Sequence, residues 1–132
     1  FETRGNQDCH VILRGGKQPN YQKADVDATC ALLRGAGLRE QVMVDVSHAN
    51  SSKQHQRQIA VAAEVAQQIA AGDARITGLM IESHLLEGRQ DIVPGQALQH
   101  GVSVTDACIS LAQTMPVLEG LARAVRTRRA GA

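Results

Sequence analysis

The hydrophobic pattern of this chain alternates between two kinds of segment. Short runs that are apolar on nearly every position occur at 9–16 (CHVILRGG), 41–48 (QVMVDVSH) and 77–83 (TGLMIES). Between them lie longer stretches whose apolar residues recur at helical spacing. The first, over 22–36, carries Val26, Cys30 and Leu33, with Gly37 placed to end it. The second, over 51–71, is rich in Ala, Gln and Val; Asn50, Ser51 and Ser52 are its candidate N-caps and Gly72 its stop. A loop containing Gly and Pro, about 84–103, leads to a last helix from about Thr105 to Arg128. Ser103 or Thr105 is expected to cap that helix, and Pro116 to kink it or divide it in two.

Strands alternating with helices predict βαβ units, a parallel sheet and right-handed crossovers. Strands this uniformly apolar fit a sheet covered on both faces. A repeat of about 34 residues also occurs in tetratricopeptide proteins, but those are all-helical and the β-branched runs exclude them.

The polar residues where the apolar runs stop change the picture. Arg14, His48 and Glu82 each end a predicted strand, and each lies 34 residues from the next. In parallel α/β folds reactive groups gather at the carboxyl ends of strands, because the loops there vary without disturbing the core. A cation, an imidazole and a carboxylate are therefore expected side by side on one rim. Each also has a plainer explanation: a surface ion pair for Arg14, a satisfied strand-end histidine for His48, a helix cap for Glu82. Asp106, in the TDA triplet at the foot of the last helix, is placed either to return a carboxylate over that rim or to offset the helix macrodipole.

His48, Glu82 and Asp106 are suitable ligands for a divalent cation such as Mn, Fe, Co or Zn. Held by three residues, the ion keeps open positions and polarises a carbonyl as a Lewis acid. Arg14, followed by Gly15 and Gly16, suits a phosphate or carboxylate, with the glycines permitting close backbone approach. Ser47, Ser51 and Ser52 lack a GxSxG elbow and are read as loop and capping residues. LRGGK lacks the Walker A spacing. The segment KQHQR at 53–57 and the terminal RAVRTRR read as solvated helix faces.

Composition narrows the function classes. The 132 residues are 43% hydrophobic, a globular composition sufficient for one modest core. A formal net charge of +1 gives no electrostatic case for nucleic acid or a membrane surface, and 2% aromatic content leaves no platform for stacked bases. No apolar stretch approaches the roughly 18 residues of a membrane span. Cys9, Cys30 and Cys108 are widely spaced with no CxxC, which favours buried thiols in a reducing, cytoplasmic setting. The chain opens on Phe1, close to its first strand, as a fragment does.

DCHVILRGGKQPNY, VMVDVSHANSSKQ, GLMIESHLLEG and SVTDACIS follow one another here in an order and spacing that resemble the type I 3-deoxy-D-arabino-heptulosonate 7-phosphate (DAHP) synthases, over essentially the whole chain. The resemblance implies the last three βα units, strands six to eight, of a (β/α)8 TIM barrel, with residues 1–132 as the C-terminal portion of one domain. It implies condensation of phosphoenolpyruvate with erythrose 4-phosphate to DAHP and phosphate, the first step of the shikimate pathway leading to the aromatic amino acids. Carried over by motif, His48, Glu82 and Asp106 are expected metal ligands, and Arg14 an expected ligand of the phosphoenolpyruvate phosphate, with His48 and Arg14 catalytic. A homo-oligomeric, cytoplasmic enzyme is expected. The family's GPCSIHD cysteine ligand and KPRT segment have no counterpart here, nor does most of its aromatic-sensing hairpin, whose tail residues 1–8 resemble.

The isolated chain is accordingly expected to have two open sheet edges, an uncovered inner face and little or no activity. Two rival functions remain: a 3-deoxy-octulosonate 8-phosphate synthase-like enzyme, and a non-catalytic metal- or anion-binding half-barrel. A purely structural account would leave all four polar residues in ion pairs.

Overall fold

In the computed structural model, which describes residues 1–6 and 8–131, the apolar runs form a parallel sheet. Its strands are β1 (Val11–Leu13), β2 (Val42–Asp45) and β3 (Ile76–Met80), with β2 in the centre. Side chains alternate across a pleated strand. Leu13, Val42, Val44 and Ile76 therefore meet one set of helices. They pack with Val26 and Cys30 of α1 (Lys23–Gly35), Val61, Ala62, Val65 and Ile69 of α2 (Arg57–Ala70), and Ala124 of α3 (Leu111–Ala130). Most of the alternate positions are less protected, Asp45 excepted, and Ile12 stays 48% exposed. Cover on both faces, as the apolar strands suggested, is thus not achieved by the described residues.

Helix α1 lies within a residue of its expected bounds. It ends in a Schellman closure, Leu38 N donating to Leu33 O (2.9 Å) and Gly37 N to Arg34 O (3.0 Å). Helix α2 ends the same way, Asp73 N donating to Gln68 O (3.1 Å) and Gly72 N to Ile69 O (3.0 Å). Its start departs from expectation: α2 begins at Arg57, because Asn50 and Ser51 are buried and hydrogen-bonded within the loop before it.

Two further corrections concern the end of the chain. The run read as one strand over 77–83 breaks after Met80, and Ser83–His84 (β4) pairs in parallel with a short strand at Ile109–Ser110 (β5). The described residues thus form a second, two-stranded parallel sheet, β4 with β5, beside the three-stranded one. The last helix does not start near Thr105, whose N–H donates to Ser103 Oγ. It starts at Leu111, where Ser110 and Gln113 form a capping box: Gln113 N donates to Ser110 Oγ (3.2 Å) and Ser110 N to Gln113 Oε1 (2.7 Å). Pro116 lies inside α3 without dividing it.

The amino end of β3 carries the strongest ion cluster. Arg75 donates to both carboxylate oxygens of Asp73 (2.9 and 2.6 Å) and to Asp27 of α1 (2.5 Å), while Arg128 of α3 donates to Asp73 O (3.1 Å). The guanidinium holds the Asp73 carboxyl below its ordinary value of 3.8. Lys23 and then Arg75 lower that of Asp27. A depressed folded pKa contributes stability above the unfolded value, and that contribution is lost as pH falls through the folded pKa. The urea midpoint of the intact protein is therefore expected to fall below about pH 4. Arg75→Gln is expected to flatten that acid limb while leaving the chemistry at the opposite end of the sheet in place.

Candidate metal and anion site

The carboxyl ends of β1 and β2 are joined by one buried amide. Asn50, 1% exposed, donates from Nδ2 to Leu13 O (3.0 Å) and Asp45 O (2.7 Å), and its Oδ1 accepts Asn20 N (2.8 Å). Asn20 Oδ1 in turn accepts Gly15 N (2.7 Å). The β1–α1 and β2–α2 loops are thereby pinned to the strand ends from which the polar groups project.

The β2–α2 loop is tightly wound. His48, Ser52 and Lys53 adopt left-handed φ values of 45°, 54° and 59°, and they are the only non-glycine residues to do so among those described. Ser51 N donates to Ser47 O (3.0 Å), Lys53 N to His48 O (2.8 Å) and Ser51 Oγ to His48 O (3.2 Å). The turn brings the His48 ring back over its own strand, with Nδ1 2.7 Å from the fully buried carboxylate of Asp45. The other ring nitrogen, Nε2, faces Glu82 Oε1 at 3.7 Å.

Glu82 is held from two sides. Ser47 Oγ donates to its Oε2 at 2.6 Å. Its backbone is gripped by the buried amide of Gln58 on α2, which accepts Glu82 N (2.8 Å) and donates to Glu82 O (3.1 Å). Ile109 N also donates to Glu82 O (3.0 Å), tying the β3–β4 bend to β5. Asp106 enters from the loop preceding β5. One ligand atom from each of His48, Glu82 and Asp106 lies within 4.8 Å of the others. They open into a cleft of about 440 Å³ that Arg14, Lys53 and His55 also line. Arg14 is 62% exposed there, its Nε 3.7 Å from Asp45 Oδ2.

Chemically this is a borderline-metal donor set of one imidazole and two carboxylates, with a third carboxylate, Asp45, behind the imidazole. Three acidic groups around one imidazole concentrate negative charge that the two cations lining the cleft, Arg14 and Lys53, do not match in number. A divalent cation at His48 Nε2, Glu82 and Asp106 balances it, so the residues present fit such an ion.

Comparisons with known proteins place the chain in a family. The family model of the DAHP synthetase I family matches residues 1–119. The chain belongs to the DAHP synthetase I family. It is 54% identical over 127 residues to the Phe-sensitive phospho-2-dehydro-3-deoxyheptonate aldolase of Escherichia coli (strain K12), covering 96% of this chain and 36% of that protein. It is 53% identical over 132 residues to the tyrosine-inhibited enzyme of that name from Schizosaccharomyces pombe (strain 972 / ATCC 24843), covering 96% of this chain and again 36% of the relative. A solved structure of the phospho-2-dehydro-3-deoxyheptonate aldolase from Francisella tularensis SCHU S4 superposes with a TM-score of 0.90 at 47% identity, covering 97% of this chain and 37% of that one. This DAHP synthetase I chain thus spans a little over a third of the relatives it matches. Its fold is α/β with parallel strands, and no described helix is long and apolar enough to cross a membrane.

Of the site residues read from the sequence of this family member, all four reach one cleft, though the 34-residue spacing is not the register of the sheet. Leu13 pairs with Val44 and Val44 with Leu79, neither a step of 34. Arg14 directly follows β1, His48 lies three residues beyond β2 and Glu82 two beyond β3. They converge because the tight β2–α2 loop carries His48 back over the strand end. Asp106 lies in a loop and not at a helix foot, which removes the macrodipole explanation. Ser47 does not cap α2, which begins ten residues later; its hydroxyl donates to Glu82. His55 is no plainly solvated residue: Glu87 pairs with it (2.9 Å) and accepts from Gln56 and Gln113. Cys30 and Cys108 are buried as expected, whereas Cys9 is exposed.

Two residues of the site were not singled out from the sequence, Asp45 and Gln58. Asp45 is the lone charge in the VMVDV run, and Gln58 lies on the buried stripe of α2 with Val61, Ala62 and Val65. A polar residue on an apolar face was the available signal in both cases.

Gly15 and Gly16 also divide differently than expected. Gly15 has φ +75°, and a Cβ there would lie 2.7 Å from Ala49 Cβ and 3.0 Å from Asn50 N; at Gly16 the space is open. The close approach at Gly15 is thus to the protein's own loop, and both N–H groups are already used, by Asn20 Oδ1 and Gln18 O. Gly15→Ala is expected to destabilise the intact protein by about 2–4 kcal/mol, from left-handed strain plus overpacking. Gly16→Ala is expected to stay within about 1 kcal/mol of the parent. Paired urea unfolding curves check the contrast.

Proposed function

We propose that this chain supplies the C-terminal units of a single (β/α)8 barrel domain that condenses phosphoenolpyruvate with erythrose 4-phosphate. In that reaction C3 of phosphoenolpyruvate bonds to the aldehyde carbon of erythrose 4-phosphate. Water adds to C2, and inorganic phosphate leaves to give DAHP. The observation that carries the reading is the convergence of His48, Glu82 and Asp106 beside Arg14 in one strand-end cleft.

His48, through Nε2, and the carboxylates of Glu82 and Asp106 would hold a divalent ion, Mn, Fe, Co or Zn. When bound, such an ion polarises the aldehyde or acidifies the attacking water. Arg14 supplies a rigid, always-charged donor fork for the phosphoenolpyruvate phosphate, and its exposure in the cleft leaves that fork available. Arg14 and His48 both approach Asp45 Oδ2, at 3.7 and 2.7 Å, so the anion site and the ligand set share one wall. The shared family and the printed names of its relatives favour DAHP over the octulosonate product. In the intact protein, turnover with erythrose 4-phosphate and none with arabinose 5-phosphate is the expected result; the reverse preference would overturn the reading.

A homo-oligomeric, cytoplasmic enzyme belongs to the same proposal. So does inactivity of the 132-residue polypeptide by itself, because among the described residues Ile12 and both edges of the three-stranded sheet are left open. With both substrates and Mn, the purified polypeptide is expected to form no DAHP above background. Steady production would show that the remaining barrel is dispensable. A non-catalytic half-barrel would instead bind metal with no response to phosphoenolpyruvate.

A further inference from the structure

Asp45 presents a physical problem that its place in β2 does not solve. Its carboxylate is completely buried in a strand whose other residues are apolar. One oxygen, Oδ1, accepts the N–H of Ser47 at 2.8 Å and is accounted for by the turn. The other, Oδ2, has no aligned hydrogen-bond donor, and neither has the buried Nδ1 of His48. These two atoms lie 2.7 Å apart, within hydrogen-bonding distance but out of line for a formed hydrogen bond. The remaining cation near Oδ2 is the exposed Arg14, at 3.7 Å. A buried carboxylate oxygen without a donor is costly, and the imidazole is the group placed to supply one.

We propose that Asp45 is a positioning residue that fixes the tautomer of His48, keeping a proton on Nδ1 and leaving Nε2 bare toward Glu82 and Asp106. The inference rests on the metal reading above and deepens it. A neutral imidazole carries one ring proton, and the nitrogen that carries it cannot ligate. With Oδ2 fixed behind Nδ1, the lone pair points into the cleft. The left-handed backbone at His48 serves the same end, because it turns the ring back onto a carboxylate three residues earlier in the chain.

The substitution Asp45→Asn is informative because its orientation is imposed. Ser47 N–H requires the amide oxygen at the Oδ1 position, so the NH2 group takes the Oδ2 position and faces His48 Nδ1. The ring must then accept at Nδ1 and carry its proton on Nε2, the form unable to bind metal. A merely structural carboxylate predicts no such inversion.

The test uses the intact protein, metal-free, with ¹⁵N-labelled histidine, together with titration by Mn²⁺ alone. The parent is expected to show His48 protonated on Nδ1. Asp45→Asn is expected to show it protonated on Nε2 and to bind Mn²⁺ roughly 10- to 100-fold more weakly while retaining a folded spectrum. A proton on Nε2 in the parent overturns the inference, as does unchanged Mn²⁺ affinity in folded Asp45→Asn. If the variant does not fold, the parent's tautomer decides the matter by itself. A parent that shows the Nδ1 tautomer yet binds no Mn²⁺ contradicts the proposed function and leaves the role of Asp45 standing.

Discussion

His48→Ala in the intact protein is expected to weaken Mn²⁺ binding by roughly a hundredfold or more, since loss of an outer partner alone costs 10- to 100-fold. DAHP formation at limiting metal should fall with it. The imidazole is the only nitrogen in the His48, Glu82 and Asp106 set, and the two carboxylates left behind repel one another once it and the cation are gone. Alanine, like the histidine it replaces, has to adopt a left-handed φ near 45°, but it lacks the polar side chain that favours Asn, Asp and His there, so a modest loss of stability is expected beside the loss of metal. Asparagine tolerates that backbone region. His48→Asn should therefore keep a near-parental urea midpoint and lose metal to the same degree. Titration calorimetry on both variants separates the two effects. Parental affinity in either folded variant would remove His48 from the site.

Asn50→Asp is expected to have the largest effect on folding, about 5 kcal/mol or more, against total stabilities of about 5–15 kcal/mol for a domain. The asparagine uses both polar atoms of its side chain, joining the ends of β1 and β2 and the backbone of Asn20. Aspartate replaces two donors with an acceptor that faces the backbone carbonyls of Leu13 and Asp45, and it buries a charge against them. Asn50→Ala leaves the same groups without partners but adds no charge, and is expected to cost less, about 3–4 kcal/mol. Urea unfolding should rank the parent above Asn50→Ala and Asn50→Asp lowest. Either variant within about 1 kcal/mol of the parent would mean that water replaces the amide and that the clamp is not what fixes the rim.

These two residues show what the sequence carried and what it withheld. The apolar runs and helical spacings placed β1, β2, β3 and α1 nearly where they are, because burial of Val42, Val44, Val26 and Cys30 is a matter of periodicity alone. The start of α2 was misread because Asn, Ser and Ser look alike whether they cap a helix or bond to strand ends. Which they do depends on Leu13 and Asn20, residues 37 and 30 positions away. The start of α3 was misread because the capping signal at Ser110 and Gln113 competes with the equally plausible Ser103 and Thr105, and only pairing of β5 with β4 decides between them. The site itself was legible through residue type, position at strand ends and family resemblance. The 34-residue spacing drew attention to residues that share one cleft although the strands pair in other steps, and it is the His48 turn that brings the groups together. Gln58 and Asp45 stayed hidden because their roles lie in contacts with Glu82 and His48, which no local pattern states.

The most direct test of the account is a crystal of the intact protein grown with Mn²⁺ and phosphoenolpyruvate and measured at the Mn absorption edge. One anomalous peak bounded by His48 Nε2 and the carboxylates of Glu82 and Asp106, with Arg14 on the substrate phosphate, is the result expected. No peak in that cleft, with His48, Glu82 and Asp106 paired only to one another or to other side chains, would contradict it.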